Sequence, residues 1–144
     1  AVIDLYDASL AYADSILERI GADLEQTGRA AAVDWIVLSD HGEAFGERQL
    51  FQHSSLVLET MLRVPLLWRF GDRSLAGRVV ETPVSLIDLN PTLRELYRLP
   101  GLAPETSVSL APLLAGRELE REPWILARTA SPGPYTSLRR GPWK

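Results

Sequence analysis

The stretch WIVLSDHGEAFGE, residues 35–47, constrains the fold more than any other part of the chain. It opens with an apolar run of β-branched and aromatic residues that lacks clean alternation. That pattern predicts a strand over 34–39 covered on both faces, as in a parallel sheet. The run then breaks into Asp40, His41, Gly42 and Glu43. In open α/β sheets ligands gather beyond the carboxyl ends of the strands, so the strand would release an acid and an imidazole side by side where chemistry is done.

Two readings of Ser39-Asp40-His41-Gly42 compete. In one it is a polar turn, with Asp40 bonding its own backbone and Gly42 in the left-handed conformation. In the other it is half of a metal site. Asp supplies a hard oxygen and His a borderline nitrogen, and Gly42 lets the backbone turn tightly enough for neighbouring side chains to converge. Two ligands fall short of the roughly four to six that such ions take, and Glu43, Glu47 and His53 are the nearby candidates to add. Other chemistries lack their motifs. His41 and His53 are 12 apart, not the i, i+4 pair of a helix-borne zinc protease. There is no G-x-S-x-G elbow, P-loop or G-x-G-x-x-G, and the contiguity of Ser39, Asp40 and His41 does not give triad geometry.

Around this segment the pattern alternates helix and strand, which predicts an α/β architecture. From Val2 to Gln26 the residues Leu5, Leu10, Ala13, Ile16, Leu17, Ile20 and Leu24 form a helical stripe, stopped by Thr27-Gly28. SSLVLETML (54–62) reads as two helical turns capped by Ser54 or Ser55. RVPLLWRF reads as a second strand, with Pro65 at its start or edge. Pro91 fits the first turn of a further helix capped by Asn90, with Leu93, Leu96, Tyr97 and Leu99 on its buried face. Asp88 reads as a helix-entry cap or a ligand to loop backbone rather than a catalyst. The turn-rich stretch from Pro100 to Glu122 should wrap the surface. WILART and YTSLRR flank Ala130–Pro134, which predicts a hairpin with a loop of about five residues. Trp35 and Trp68 read as core strand residues.

The 144 residues suffice for one domain with a real core, and 46% hydrophobic with 24% charged residues is a globular composition. A net charge of −4, with basic residues scattered except at Arg139-Arg140, argues against nucleic acid as a partner. With no cysteine there is no thiol nucleophile, disulfide or zinc knuckle. No apolar run approaches the roughly 20 residues that span a bilayer, and membrane association stays open, as does compartment. The abrupt helical start and the ending RRGPWK suggest a piece of something larger.

The blocks YDASLAYADSILERIGADLEQTG, WIVLSDHGEAFGE, FQHSSLVLETMLRVPLL, TPVSLIDLNPTLREL and SVSLAPLLAG resemble, in this order, the C-terminal half of the sulfatase family, within the alkaline-phosphatase-like superfamily. SDHGE and LRVPLL are the most specific, and SLRRGPWK is similar to the family's late strand pair. The resemblance decides for the half metal site. It implies that residues 1–144 are the C-terminal part of a sulfatase-like domain: a partial sandwich, mainly parallel sheet flanked by helices, with a C-terminal β-hairpin. It implies that Asp40 and His41 bind a divalent ion (Ca, Mn, Mg or Zn). His53 would then bind or protonate the transferring group of a sulfate, phosphate or phosphonate ester. Glu43 and Glu47 would surround the site or stay solvated rather than ligate. Asp-His, where many sulfatases have Asp-Asn, looks more like the superfamily's phosphonate monoester hydrolases and phosphoethanolamine transferases. The family's C/S-x-P-x-R nucleophile motif and its first acidic ligands belong to its N-terminal half, and this sequence contains no C/S-x-P-x-R. The implied partners are therefore an ester substrate and the missing N-terminal half, and the chain alone should be inactive. The rival reading is a non-catalytic binding module that reuses this half-fold.

Overall fold

The amphipathic stretch at the start of the chain is a single helix, α1 (Val2–Gln26). It ends as its sequence prescribes. Gly28 adopts φ +66, and the N–H groups of Gly28 and Arg29 donate to the carbonyls of Glu25 and Leu24, satisfying the last turn. The computed structural model describes residues 2–52, 56–120, 124–129 and 135–141. The chain divides into two compact units. The first comprises Ala1–Ser54 with Arg63–Gly77, the second Ser55–Leu62 with Arg78–Lys144.

In the first unit β1 (Trp35–Leu38) pairs with β4 (Leu66–Arg69), and β2 (Ala44–Phe45) with β3 (Phe51–Gln52). The predicted strand and the Pro65-led strand are thus both present. Their pairing differs from the expected parallel sheet: every ladder among the described residues is antiparallel and two-stranded. Trp35 faces Arg69 and Leu38 faces Leu66. The apolar run of β1 sets how much cover the strand needs, not the direction in which its neighbour runs. Trp35, Ile36 and Val37 are half-buried and Leu38 is exposed. Trp68 is half-buried and stacks on Phe70, with ring centroids 5.5 Å apart.

The base of this ribbon is locked. The Gly71 N–H donates to Asp34 Oδ1 at 2.8 Å, and Gly71 lies so close to the Ala31 carbonyl that a Cβ would collide with backbone. Along α1 only Leu17, Gly21 and Leu24 are half-buried, while Leu5 and Tyr12 stay about 70% exposed, at 72% and 70%. The expected stripe is wider than the surface that the first unit offers it.

The second unit has its core around α3 (Leu89–Tyr97) and α4 (Ala111–Leu114). Asp88 and Thr92 are buried among Leu110, Ala111 and Leu113. Asp88 is the helix-entry cap that was expected. Its carboxylate accepts from the Ser85 and Val108 N–H groups, and a capping box joins Ser85 to Asp88. Thr92 Oγ1 donates to the Asp88 carbonyl and accepts from the Leu110 N–H at 2.8 Å. Two expectations fail here. Asn90 lies inside α3, because the helix is entered through the 3₁₀ turn Leu86–Asp88. Leu96, Tyr97 and Leu99 are exposed, so the buried position of α3 is Thr92. Residues 110–113, expected to wrap the surface, belong to this core instead, because the Asp88–Thr92 network needs the Val108 and Leu110 N–H groups beside it. Helix α2 (Glu59–Leu62) is one turn rather than two, and Ser54 and Ser55 lie outside the described residues. The hairpin β5 (Trp124–Arg128) with β6 (Thr136–Arg140) forms as expected. Its loop at 130–134 lies outside the described residues.

Candidate metal site at the end of β1

Strand β1 ends at Leu38, and Ser39 turns the chain by donating its hydroxyl to the His41 carbonyl at 2.6 Å. Asp40 and His41 therefore stand at the carboxyl end of the strand, as the sequence predicts. The His41 N–H donates to Asp40 Oδ1 at 3.0 Å, which orients the carboxylate. His41 Nδ1 lies 2.9 Å from the Gly42 carbonyl. A carbonyl oxygen only accepts, so Nδ1 carries the hydrogen and Nε2 is the basic nitrogen.

Nε2 lies 3.8 Å from Asp40 Oδ1, with the two side chains 49% and 87% exposed respectively. Ligand bonds to Zn or Ca run at about 2.0–2.5 Å, so one ion between these atoms could touch both without moving either residue far. The turn reading accounts for the Asp40 bond to its neighbour's backbone, but Gly42 is not among the residues at positive φ. The next glycine, Gly46, takes φ +116 beyond β2, in the β2–β3 turn. Among the described residues no third His, Asp or Glu joins Asp40 and His41 in a metal-holding group. The donor types and their separation suit a divalent ion, and their number is half of what one takes.

Glu43 is half-buried. Glu47 turns back into its own hairpin, where Oε2 accepts from the Phe45 N–H at 2.7 Å. Its own N–H, and then that of Phe45, hold its carboxyl below the ordinary 4.5. His53 lies outside the described residues.

The β2–β3 hairpin was not read from the sequence, although an aromatic residue on each side of a glycine-led turn, Phe45 and Phe51, was a usable signal. Its turn is closed by the Gly46 N–H donating to the Leu50 carbonyl at 2.8 Å. Arg48 and Gln49 at its tip take φ +53 and +62. The Tyr6 ring meets Phe45 edge-on at 4.8 Å, fixing the hairpin to α1. Its register pairs Ala44 with Gln52. The chain thus leaves β3 opposite a residue only three beyond His41.

Fold and loop together define a mixed helix-and-strand protein whose first strand ends in an acid–imidazole pair. Residues 1–98 match the model of the sulfatase family. The choline-sulfatase of Rhizobium meliloti (strain 1021) is 33% identical over 147 residues, covering 96% of this chain and 27% of that protein. Arylsulfatase K of Xenopus laevis is 36% identical over 110 residues, 76% of this chain and 20% of that protein. An uncharacterized sulfatase of Escherichia coli, YidJ, is 40% identical over 65 residues, 43% of this chain and 12% of that protein. The chain belongs to the sulfatase family. It spans about a quarter of the length of the choline-sulfatase, 27%, and less of the other two.

Proposed function

We propose that this chain is the C-terminal part of a metal-dependent sulfatase-type hydrolase, in which Asp40 and His41 supply two ligands to a divalent ion. The observation that carries the reading is the pair of donor atoms at the end of β1, with Nε2 and Oδ1 3.8 Å apart and Nδ1 engaged by the Gly42 carbonyl. A metal-ligating imidazole is commonly held in this way, its other nitrogen donating to a carbonyl. When bound, the ion would polarise the ester oxygens and favour the ionised nucleophile. This chain's own contribution is to hold that position. Asp40 brings a charge fixed by a backbone N–H, and His41 brings a nitrogen of fixed tautomer.

His53 is assigned to the sulfuryl group, by donating a hydrogen bond to its oxygens or a proton to the leaving oxygen. The hairpin register supports this assignment, since chain leaving Gln52 starts beside Ala44. The names of the relatives, a choline-sulfatase and arylsulfatases, favour sulfate esters of an alcohol or phenol. The Asp-His pair keeps phosphate and phosphonate esters, and a phosphoethanolamine-type transfer, as the alternative chemistry. The nucleophile and the remaining acidic ligands are assigned to a preceding part of a longer protein. That part would also cover the open stripe of α1 and give β1 its parallel neighbours.

The test is turnover of an aryl sulfate, with the corresponding aryl phosphate as comparison. A full-length protein carrying this chain should hydrolyse the sulfate, and Asp40→Asn and His53→Ala should each lower kcat/KM at least a hundredfold. The 144-residue chain alone should turn over neither ester. Activity in the isolated chain, abolished by Asp40→Ala, would mean that the site is already complete and the reading wrong.

A further inference from the structure

The β1–β4 ladder ends at Leu38, and the next residue of the chain to enter a ladder is Ala44. Between them, side chains of the turn itself shape the stretch that carries Asp40 and His41. Ser39 Oγ donates to the His41 carbonyl at 2.6 Å. Asp40 Oδ1 receives the His41 N–H at 3.0 Å, and His41 Nδ1 donates to the Gly42 carbonyl at 2.9 Å. Neither the acid nor the imidazole is buried, so packing alone does not set the 3.8 Å between Nε2 and Oδ1.

The three bonds depend on one another in a definite order. The His41 carbonyl belongs to the planar peptide group that joins His41 to Gly42. Holding that oxygen fixes the direction in which the chain enters Gly42, the residue of the turn with the most backbone freedom. The Gly42 carbonyl, which receives Nδ1, comes one peptide later. Ser39 therefore stands upstream of the contact that selects the imidazole tautomer and makes Nε2 the basic nitrogen. A serine hydroxyl suits this task because it is short enough to bond backbone two residues on. The bond lies at the surface, where water competes for both partners, so it adds little to stability. Its consequence is where it places the two donor atoms.

We infer that Ser39 is a positioning residue for the proposed metal site: by holding the His41 carbonyl it fixes the tautomer of His41 and sets Nε2 beside Asp40 Oδ1 before any ion arrives. The inference rests on the ligand roles proposed for Asp40 and His41. It gives the hydroxyl of Ser39 a part that neither coordination nor folding accounts for.

The chain has two histidines, so its ring-nitrogen NMR spectrum is assigned with a single His41→Gln variant. In the 144-residue chain without metal, with the imidazoles neutral, His41 should show the pattern of an Nδ1–H tautomer. Ser39→Ala should move His41 towards a mixture of tautomers and leave Tm unchanged, and Ser39→Thr, which keeps the hydroxyl, should restore the original pattern. In a full-length protein that carries this chain, Ser39→Ala should raise the Kd for Mn roughly tenfold, the lower end of what loss of a supporting contact costs. Ser39→Thr should leave that Kd near the original. A His41 pattern unmoved in Ser39→Ala overturns the inference, as does an unchanged Kd for Mn. A fall in Tm that matches the loss of tautomer also overturns it, since the hydroxyl would then act on folding. His41→Ala tests the metal reading separately. Mn affinity unmoved by His41→Ala, beside a tautomer lost in Ser39→Ala, rejects the metal role and leaves the positioning of His41 by Ser39 standing.

Discussion

The tautomer of His41 depends on one backbone oxygen, that of Gly42, and no sequence rule announces it. The sequence does announce the residue types. An acid and an imidazole directly after an apolar strand are legible because strand ends are where polar groups can stay solvated. Their mutual geometry is not legible, since it depends on Ser39 turning onto the His41 carbonyl and on Gly42 keeping a negative φ. Glu47 shows the same limit. By its letter it is a candidate ligand, but its carboxylate is occupied by the Phe45 N–H. This has a pH consequence. The carboxyl is held below 4.5 by backbone N–H groups, so its contribution to the hairpin is present above that value and is lost as pH falls through the lowered one. The Phe45 amide resonance should titrate with a midpoint below 4.5. A midpoint at or above 4.5 would show that the bond does not hold the hairpin in solution.

At the level of elements, α1, β1, β4 and the β5–β6 hairpin were legible because each carries its own period and punctuation. Helix α1 has Gly28 to stop it, and β4 has Pro65 before it. The β2–β3 hairpin escaped notice because its strands are two residues each, too short to show alternation. The face of α3 was misjudged because a polar residue, Thr92, occupies its most buried position. Hydrogen bonding, not hydrophobicity, put it there. Asp88→Ala would leave the Ser85 and Val108 N–H groups without their acceptor in a buried place. It should cost about 3 kcal/mol, read by urea unfolding of the second unit. A loss below about 0.5 kcal/mol would mean water replaces the carboxylate freely. The glycine at 71 reads in sequence as part of a loop, yet it packs on the Ala31 carbonyl. Gly71→Ala should destabilise the β1–β4 ribbon by about 1–3 kcal/mol. An unchanged Tm would show that the ribbon shifts without strain.

For the whole molecule, the parallel sheet was inferred from the apolar run of β1 and from the family resemblance. A strand's composition says how much cover it needs, not which way its neighbour runs. Here β1 meets β4 antiparallel, and the cover is incomplete at Leu38. The same shortfall appears on α1 and at the acid–imidazole pair, which no third His, Asp or Glu joins in a metal-holding group among the described residues. All three fit one account, in which this chain supplies part of a sulfatase-family domain and half of its metal site. Titration calorimetry with Ca, Mn and Zn, on the 144-residue chain and on a full-length protein that contains it, tests that account most directly. The account predicts no saturable binding by the 144-residue chain. It predicts one ion per full-length protein, with Kd raised at least tenfold by Asp40→Asn and by His41→Ala. Full-length binding that neither substitution weakens, or tight stoichiometric binding by the 144-residue chain that His41→Ala abolishes, would contradict it.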